Sequence, residues 1–403
     1  MAYKNVHQFM GSKTQAIVMT IVATVTVLTT GFGPFGPMVA GAQPASSSLS
    51  PMQDPLVEAS RNPQLARALQ DAYEAAHRGQ PGYVQVPPVY LRPNPYPAAS
   101  LRNYAAPRLA KREPDGYEPN VERLFVESPA MRRMVQVQVQ HAKDRGRPAP
   151  MLYLLDGVTA PKESGWLREG NVQQLSGEQV TAIMPTEATG SNYTNWQSDD
   201  PILGRMQWET FLTSELPTVL EREADLKFNG TRYIGGVSMG GSAAVRLANL
   251  HPDLYRGTFG FSGCYSPTST DGRGFLNLIN TATGGNPDNQ WGPGVSAERR
   301  RNDVTANPSG LRGMPVYLFA ADGEVTQRDK DIVAKDGGPI TLTGSVILEK
   351  LVNQCTHDLD DAMRAQGMTH QQVTYLHGGT HNWPYYAEQL PIAWRHISGG
   401  GGR

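Results

Sequence analysis

The sharpest chemical signal in the chain is Gly236-Val237-Ser238-Met239-Gly240-Gly241, a G-x-S-x-G motif placed between a predicted strand and a predicted helix. Small residues on both sides of a serine permit a tight, strained turn that pushes the hydroxyl into the open. The helix that follows aims backbone N–H groups at developing negative charge. A Gly-rich turn with an incidental serine is the bland alternative, and the strand–turn–helix setting argues against it. A serine nucleophile needs a base, and the base needs an orienting acid.

In this arrangement the chain order is serine, acid, histidine. After Ser238 come His251, His357, His370, His377, His381 and His396. His251 ends the helix that follows the serine, too far from the strand ends. His357 and His370 fall in or beside a charged helix and read as solvated. His377 and His381 lie in Tyr375-Leu-His-Gly-Gly-Thr-His-Asn-Trp383, a Gly-rich loop after a short apolar strand. His381 is deeper in that loop, beside an aromatic residue, and is the favoured base. For the acid, Asp322 and Glu324 directly follow the strand Val316–Ala320, while Glu349 competes from a later helix. The residues alone leave Asp322 and Glu349 nearly equal, with Asp322 slightly ahead. The oxyanion of an acyl-transfer reaction would be held by the amide of Met239 and a second amide, that of Val158 after Asp156-Gly157.

These residues require strands that end together. Val135-Gln-Val-Gln-Val139 alternates with period two, as a half-buried antiparallel strand should. Met151–Leu155 is a fully apolar run ending at Asp156-Gly157, which suits a central buried strand. Val180–Met184, Arg232–Gly236, Gly257–Phe261 and Val316–Ala320 repeat the theme. Helices are expected near Trp208–Glu223, after Ser238 to about Leu250, and over Val346–Gln366. This alternation implies an α/β fold with a mostly parallel, doubly wound central sheet and helices on both faces, whose ligands bind at the carboxyl ends of the strands. Residues 265–295 read as an insertion over one face.

Before this domain, placed at 119–398, residues 43–118 form a Pro-rich extension with one helix, capped by Asn62 and Pro63 and stopped at Gly79. Residues 1–42 read as an export signal: Lys4 and Lys13 precede an apolar run from Ala16 to Thr30, then Ala40-Gly41-Ala42 offers a cleavage site after Ala42. The run is shorter than the ~20 residues that a spanning helix needs. In an oxidising destination, Cys264 and Cys355, the two cysteines of the chain, are expected to pair, two buried thiols being the alternative. With 36 basic and 37 acidic side chains there is no global field for nucleic acid or an anionic membrane. The histidines form no ligand cluster, so neither metal nor cofactor is implied.

Leu154-Leu155-Asp156-Gly157, the Ser164-Gly165-Trp166 step, the run Trp208-Glu-Thr-Phe-Leu-Thr-Ser-Glu-Leu-Pro217, the Gly236–Gly240 motif, Trp291-Gly-Pro293 with Arg301-Asn-Asp303, and Gly379-Thr-His-Asn-Trp383 occur in order. Together they resemble the secreted mycolyltransferases, the mycobacterial antigen 85 proteins and their corynebacterial relatives, over about residues 121–395. The resemblance implies an α/β-hydrolase fold and transfer of mycolyl groups from trehalose monomycolate to trehalose monomycolate or to cell-wall arabinogalactan. It implies Ser238 as nucleophile, His381 as base, Glu349 (in Leu348-Glu349-Lys350-Leu351-Val352) as acid in place of Asp322, the amides of Val158 and Met239 as oxyanion donors, and Asp156 as a sugar ligand. Thr159 stands where the family has an arginine. Trp166, Trp383 and Tyr385 are candidate walls for sugar or acyl chain, or else packing aromatics. The expected setting is the cell envelope and its lipid surface. A secreted esterase of the same fold and a non-catalytic wall-binding protein are the competing readings.

Overall fold

The computed structural model describes residues 96, 98–116, 118–336 and 339–399. The expected export signal and the helix expected over 62–79 lie outside the described residues. A nine-stranded sheet organises the chain in the order β1-β2-β3-β5-β4-β6-β7-β8-β9. Its strands are β1 Arg108–Pro114, β2 Val121–Ser128, β3 Arg133–Gln140, β4 Ala149–Leu155, β5 Thr181–Pro185, β6 Phe228–Val237, β7 Thr258–Phe261, β8 Val316–Ala321 and β9 Gln372–Leu376. The first three strands and β5 pair antiparallel. From β5 through β4 to β9 every pairing is parallel. The parallel strands therefore finish on one edge, where the candidate residues cluster.

Six helices matter for that edge: α1 Met239–Leu250, α2 Thr270–Thr283, α3 Pro287–Trp291, α4 Gln327–Asp336, α5 Pro339–Ala365 and α6 Trp383–Ile397. The expected helix near Trp208 runs over Trp208–Thr210, a π-type turn Phe211–Glu215 and Leu216–Arg222. Strand β4 shows why the sheet is covered on both sides. Met151, Tyr153 and Leu155 pack with α1, α5 and the 208–222 helices, whereas Leu152 and Leu154 pack with α6 and Trp166. A run with no polar position can only be central.

Two expectations are corrected. The sheet does not begin at residue 119: β1 lies within the stretch read as the 43–118 extension and pairs with β2 as an edge. Its sequence, Arg108-Leu-Ala-Lys-Arg-Glu-Pro114, is largely exposed and charged, as edge strands often are, and so reads as linker. Strand β3 is not half-solvated. Gln136, Gln138 and Gln140 are buried, and their amides donate to Lys162 O, Asp115 Oδ2 and Val172 O, beneath the chain segment that covers that face. The 265–295 stretch lies over one face as expected but is mainly helical, forming α2 and α3.

Candidate active site

Strand β6 delivers Ser238 in a conformation that few side-chain-bearing residues adopt, φ 57° and ψ −122°. The turn is held by backbone packing: a Cβ on Gly240 would stand 2.3 Å from Leu155 O, and one on Gly236 would stand 2.3 Å from Gly240 O. Glycine is required at both positions because the first turn of α1 packs main chain to main chain against β6 on one side and the end of β4 on the other. Ser238 N–H donates to Phe261 O at 2.7 Å, tying the turn to β7 as well. The Asp156-Gly157-Val158 turn passes over the serine, since a Cβ on Gly157 would lie 3.6 Å from Ser238 Cβ. Among the described residues, no hydrogen bond uses the amide of Val158 or of Met239. Both remain available to an oxyanion, and Met239 N–H opens helix α1.

The histidine loop after β9 separates the two candidate acids. His381 Nδ1 lies 2.7 Å from Glu349 Oε2. Glu349 is wholly buried on α5, and its other oxygen accepts Ser262 Oγ at 2.7 Å and Ala321 N–H at 2.8 Å. A buried carboxylate with three donors is held in one orientation. Asp322 instead meets His377 Nδ1 at 2.6 Å, and that imidazole is 92% exposed. Asp322 also accepts the amides of Gly378 and Glu324, and its carboxyl is held below the ordinary value because these bonds outweigh the upward push of burial. Glu324 pairs with Lys350. No hydrogen bond joins Ser238 to His381 among the described residues. Catalytic hydrogen bonds are often long in ligand-free sites.

Asp156 is 1% exposed, and neither carboxyl oxygen has a hydrogen-bond partner among the described residues. Burial pushes its carboxyl up to about 7, with Ser164 and the amides of Gly165 and Trp166 near enough to pull partly the other way. Its backbone N–H donates to Tyr193 Oη at 3.0 Å. Trp166 is corrected as a substrate wall. Its indole is wholly buried against Phe259, Phe261 and Trp383, and Nε1 donates to Leu155 O, so it presents no face to a ligand. Trp383 keeps some exposure, while Tyr385 is buried with its hydroxyl on Asp329. Cys264 and Cys355 form a disulfide, linking the segment after β7 to helix α5.

The remaining histidines have structural partners. His251 meets Glu209 at 3.0 Å, His370 meets Leu311 O at 2.9 Å, and His357 stacks on Tyr375. The conspicuous 208–217 run supplies packing and ion pairs rather than chemistry. Glu209 binds Arg301 and His251, which hold its carboxyl at about 2 although burial pushes upward. Glu215 accepts Ser128 Oγ and Ala130 N–H. Sequence reasoning passed over two residues: Ser262, for which only its place at a strand end was visible, and Asp329, announced by the helix-start pattern Thr326-x-x-Asp329.

A serine on a strand–helix elbow, an imidazole on a buried carboxylate and two open amides on a mostly parallel sheet define the α/β-hydrolase class of acyl-transfer enzymes. The Esterase family model matches residues 128–397. The chain is 32% identical over 281 residues, 67% of its length and 80% of the relative's, to the diacylglycerol acyltransferase/mycolyltransferase Ag85A of Mycobacterium leprae (strain TN). The chain belongs to this esterase family and, within it, to the antigen 85-like mycolyltransferases. Among solved structures, MPT51 (FbpC1) of Mycobacterium tuberculosis is similar with a TM-score of 0.58 and 25% identity, covering 70% of this chain and 99% of that one. An S-formylglutathione hydrolase from Agrobacterium tumefaciens shares the fold, with a TM-score of 0.52 and 14% identity over 72% of this chain and 99% of its own.

Proposed function

We propose that the chain is a secreted serine acyltransferase that moves mycolyl groups from trehalose monomycolate to a second trehalose monomycolate or to cell-wall arabinogalactan. The observation that carries this reading is the Glu349–His381 pair, in an antigen 85-like chain whose Ser238 occupies a strand–helix elbow. In the first step His381 Nε2 takes the hydroxyl proton of Ser238 as Oγ attacks the ester carbonyl carbon. The amides of Val158 and Met239 receive the oxyanion, and Glu349 steadies the imidazolium. The ester C–O bond then breaks, and His381 returns the proton to the departing sugar oxygen. In the second step an acceptor hydroxyl gives its proton to His381 and attacks the acyl-Ser238 carbonyl. Collapse of that intermediate releases Ser238, which regains its proton.

Asp156 is the proposed sugar ligand. A buried carboxyl titrating near neutrality can either accept or donate a hydrogen bond to a sugar hydroxyl. Trp383 is a partial wall, and Thr159 leaves one sugar contact different from the family pattern. Export with cleavage after Ala42 places the enzyme in the cell envelope, which fits a disulfide-bonded chain.

Transfer and hydrolysis are separated by supplying trehalose monomycolate and following trehalose dimycolate against free mycolic acid. Dimycolate formation is expected. Free acid alone, whatever the trehalose concentration, would leave an esterase. Ser238→Ala should abolish either activity by a factor on the order of 10⁶, whereas unchanged activity would remove the serine mechanism altogether.

A further inference from the structure

Asp329 lies at the third position of helix α4, three residues after Thr326, which precedes that helix. Thr326 N–H donates to Asp329 Oδ2 at 2.8 Å, and Asp329 N–H returns a bond to Thr326 Oγ1 at 3.3 Å. This reciprocal pattern is an ordinary helix-start device, and its carboxylate usually has spare acceptor capacity turned to solvent. Here the carboxylate is wholly buried, and the spare capacity is used by the histidine loop. Asp329 Oδ1 accepts Thr380 Oγ1 at 2.7 Å and Thr380 N–H at 3.2 Å. Oδ2 also accepts Thr326 Oγ1 at 2.6 Å and Tyr385 Oη at 3.0 Å. These bonds hold the carboxyl below its ordinary value although burial pushes upward, so the anchor is an anion.

Thr380 immediately precedes His381 and is 1% exposed. Asn382, immediately after His381, donates its side-chain amide to Thr380 Oγ1 at 2.6 Å. The residue before the histidine is thus bonded directly to the carboxylate, and the residue after it is bonded to that threonine. Helix α4 packs on α5, the helix that carries Glu349. One group therefore links the loop of the base to the segment leading into the helix of the acid.

We propose that Asp329 is a positioning residue for His381, acting through Thr380 and Tyr385 to fix the height and direction of the imidazole between Ser238 and Glu349. The inference rests on the reading of His381 as the base. A displacement of about 1 Å in a catalytic group is enough to cost on the order of 10²-fold in rate.

The test uses the full chain, with p-nitrophenyl butyrate turnover and fluorophosphonate labelling of Ser238 as readouts and circular dichroism as a check on folding. Asp329→Asn should lower kcat and the labelling rate about 10- to 100-fold with KM changed less than about threefold. Thr380→Val should do the same, and Thr380→Ser, which keeps the hydroxyl, should restore most of the rate. The Asp329→Asn/Thr380→Val double variant should be no slower than the worse single variant. If Asp329→Asn does not fold, the Val and Ser variants of Thr380 decide alone, and equal rates for the two would overturn the proposal. Losses that only track the unfolded fraction, or multiply in the double variant, would overturn it too. His381→Ala serves as the control. If it labels as fast as the parent chain, the acyltransfer reading itself fails. If it is silent while Asp329→Asn and Thr380→Val stay within about threefold, only the positioning inference fails.

Discussion

His381 and Glu349 are 32 residues apart in the chain, yet their facing atoms are 2.7 Å apart, and the carboxylate is sealed from solvent. Asp322, which follows directly after strand β8, is engaged by the exposed His377 instead. Glu349→Gln should therefore reduce acyl transfer by about 10³- to 10⁴-fold, the scale seen when the acid of a triad is neutralised. Asp322→Asn should stay within about threefold, because an exposed ion pair contributes little. Steady-state rates of the two variants check this, and the opposite ranking would move the acid to Asp322.

A second prediction concerns pH. The ordinary aspartate value is 3.8, and burial raises Asp156 to about 7 in the fold. The unfolded chain thus releases this proton first, and native stability falls as pH rises from about 4 to about 7. The penalty reaches at most about 4 kcal/mol. Asp156→Asn carries no such penalty. Its melting temperature should match the parent chain near pH 4, exceed it increasingly up to about pH 7 and by a constant margin above that, while sugar-dependent transfer declines. A constant offset between the two melting curves would show that ionisation of Asp156 is not the cause.

The elbow yields a third prediction. Gly240→Ala places a methyl group 2.3 Å from Leu155 O and 2.5 Å from Asp156 O, atoms fixed by the sheet. A loss of about 3 kcal/mol or more is expected, with little fluorophosphonate labelling of Ser238. Gly157→Ala, whose Cβ would make an ordinary 3.6 Å contact with Ser238 Cβ, should fold within about 1 kcal/mol of the parent. Urea titrations of both variants make the comparison, and equal stability for the two would contradict the packing account.

Cys264 and Cys355 are separated by 91 residues. Replacing both by serine should lower stability by about 4–5 kcal/mol on the chain-entropy model. The same loss should follow when the parent chain is unfolded in reductant. A urea midpoint that ignores reductant would show that the bond does not restrain the unfolded chain.

What the sequence disclosed follows the range of each interaction. The elbow and β4 were legible because turn chemistry and an unbroken apolar run are local. His381 was legible as the deeper histidine of a Gly-rich loop. The choice between Asp322 and Glu349 was not, because strand-end position favours one while only the approach of α5 reveals the other. The resemblance implies Glu349, and His381 lies against that carboxylate. Between wall and packing aromatic, the residues left Trp166 open, and only the fold shows its indole buried with Nε1 on Leu155 O. The glutamines of β3 looked solvated because nothing in their spacing reveals the two backbone carbonyls and the Asp115 carboxylate that receive their amides. Strand β1 was hidden by its charge, which suits an edge and a linker alike.

The glycine contacts around Ser238 bear on how such a site can diverge. Where the first turn of α1 meets β6 and the end of β4 main chain to main chain, there is no side chain whose exchange could shift the serine by a few tenths of an ångström. The position of Ser238 is fixed by backbone packing, not tuned by composition. New substrates must therefore be accommodated by side chains that do not form this turn, whose residues can vary without moving Ser238. A lineage can thus alter which acyl chain or acceptor it takes while its nucleophile stays in place.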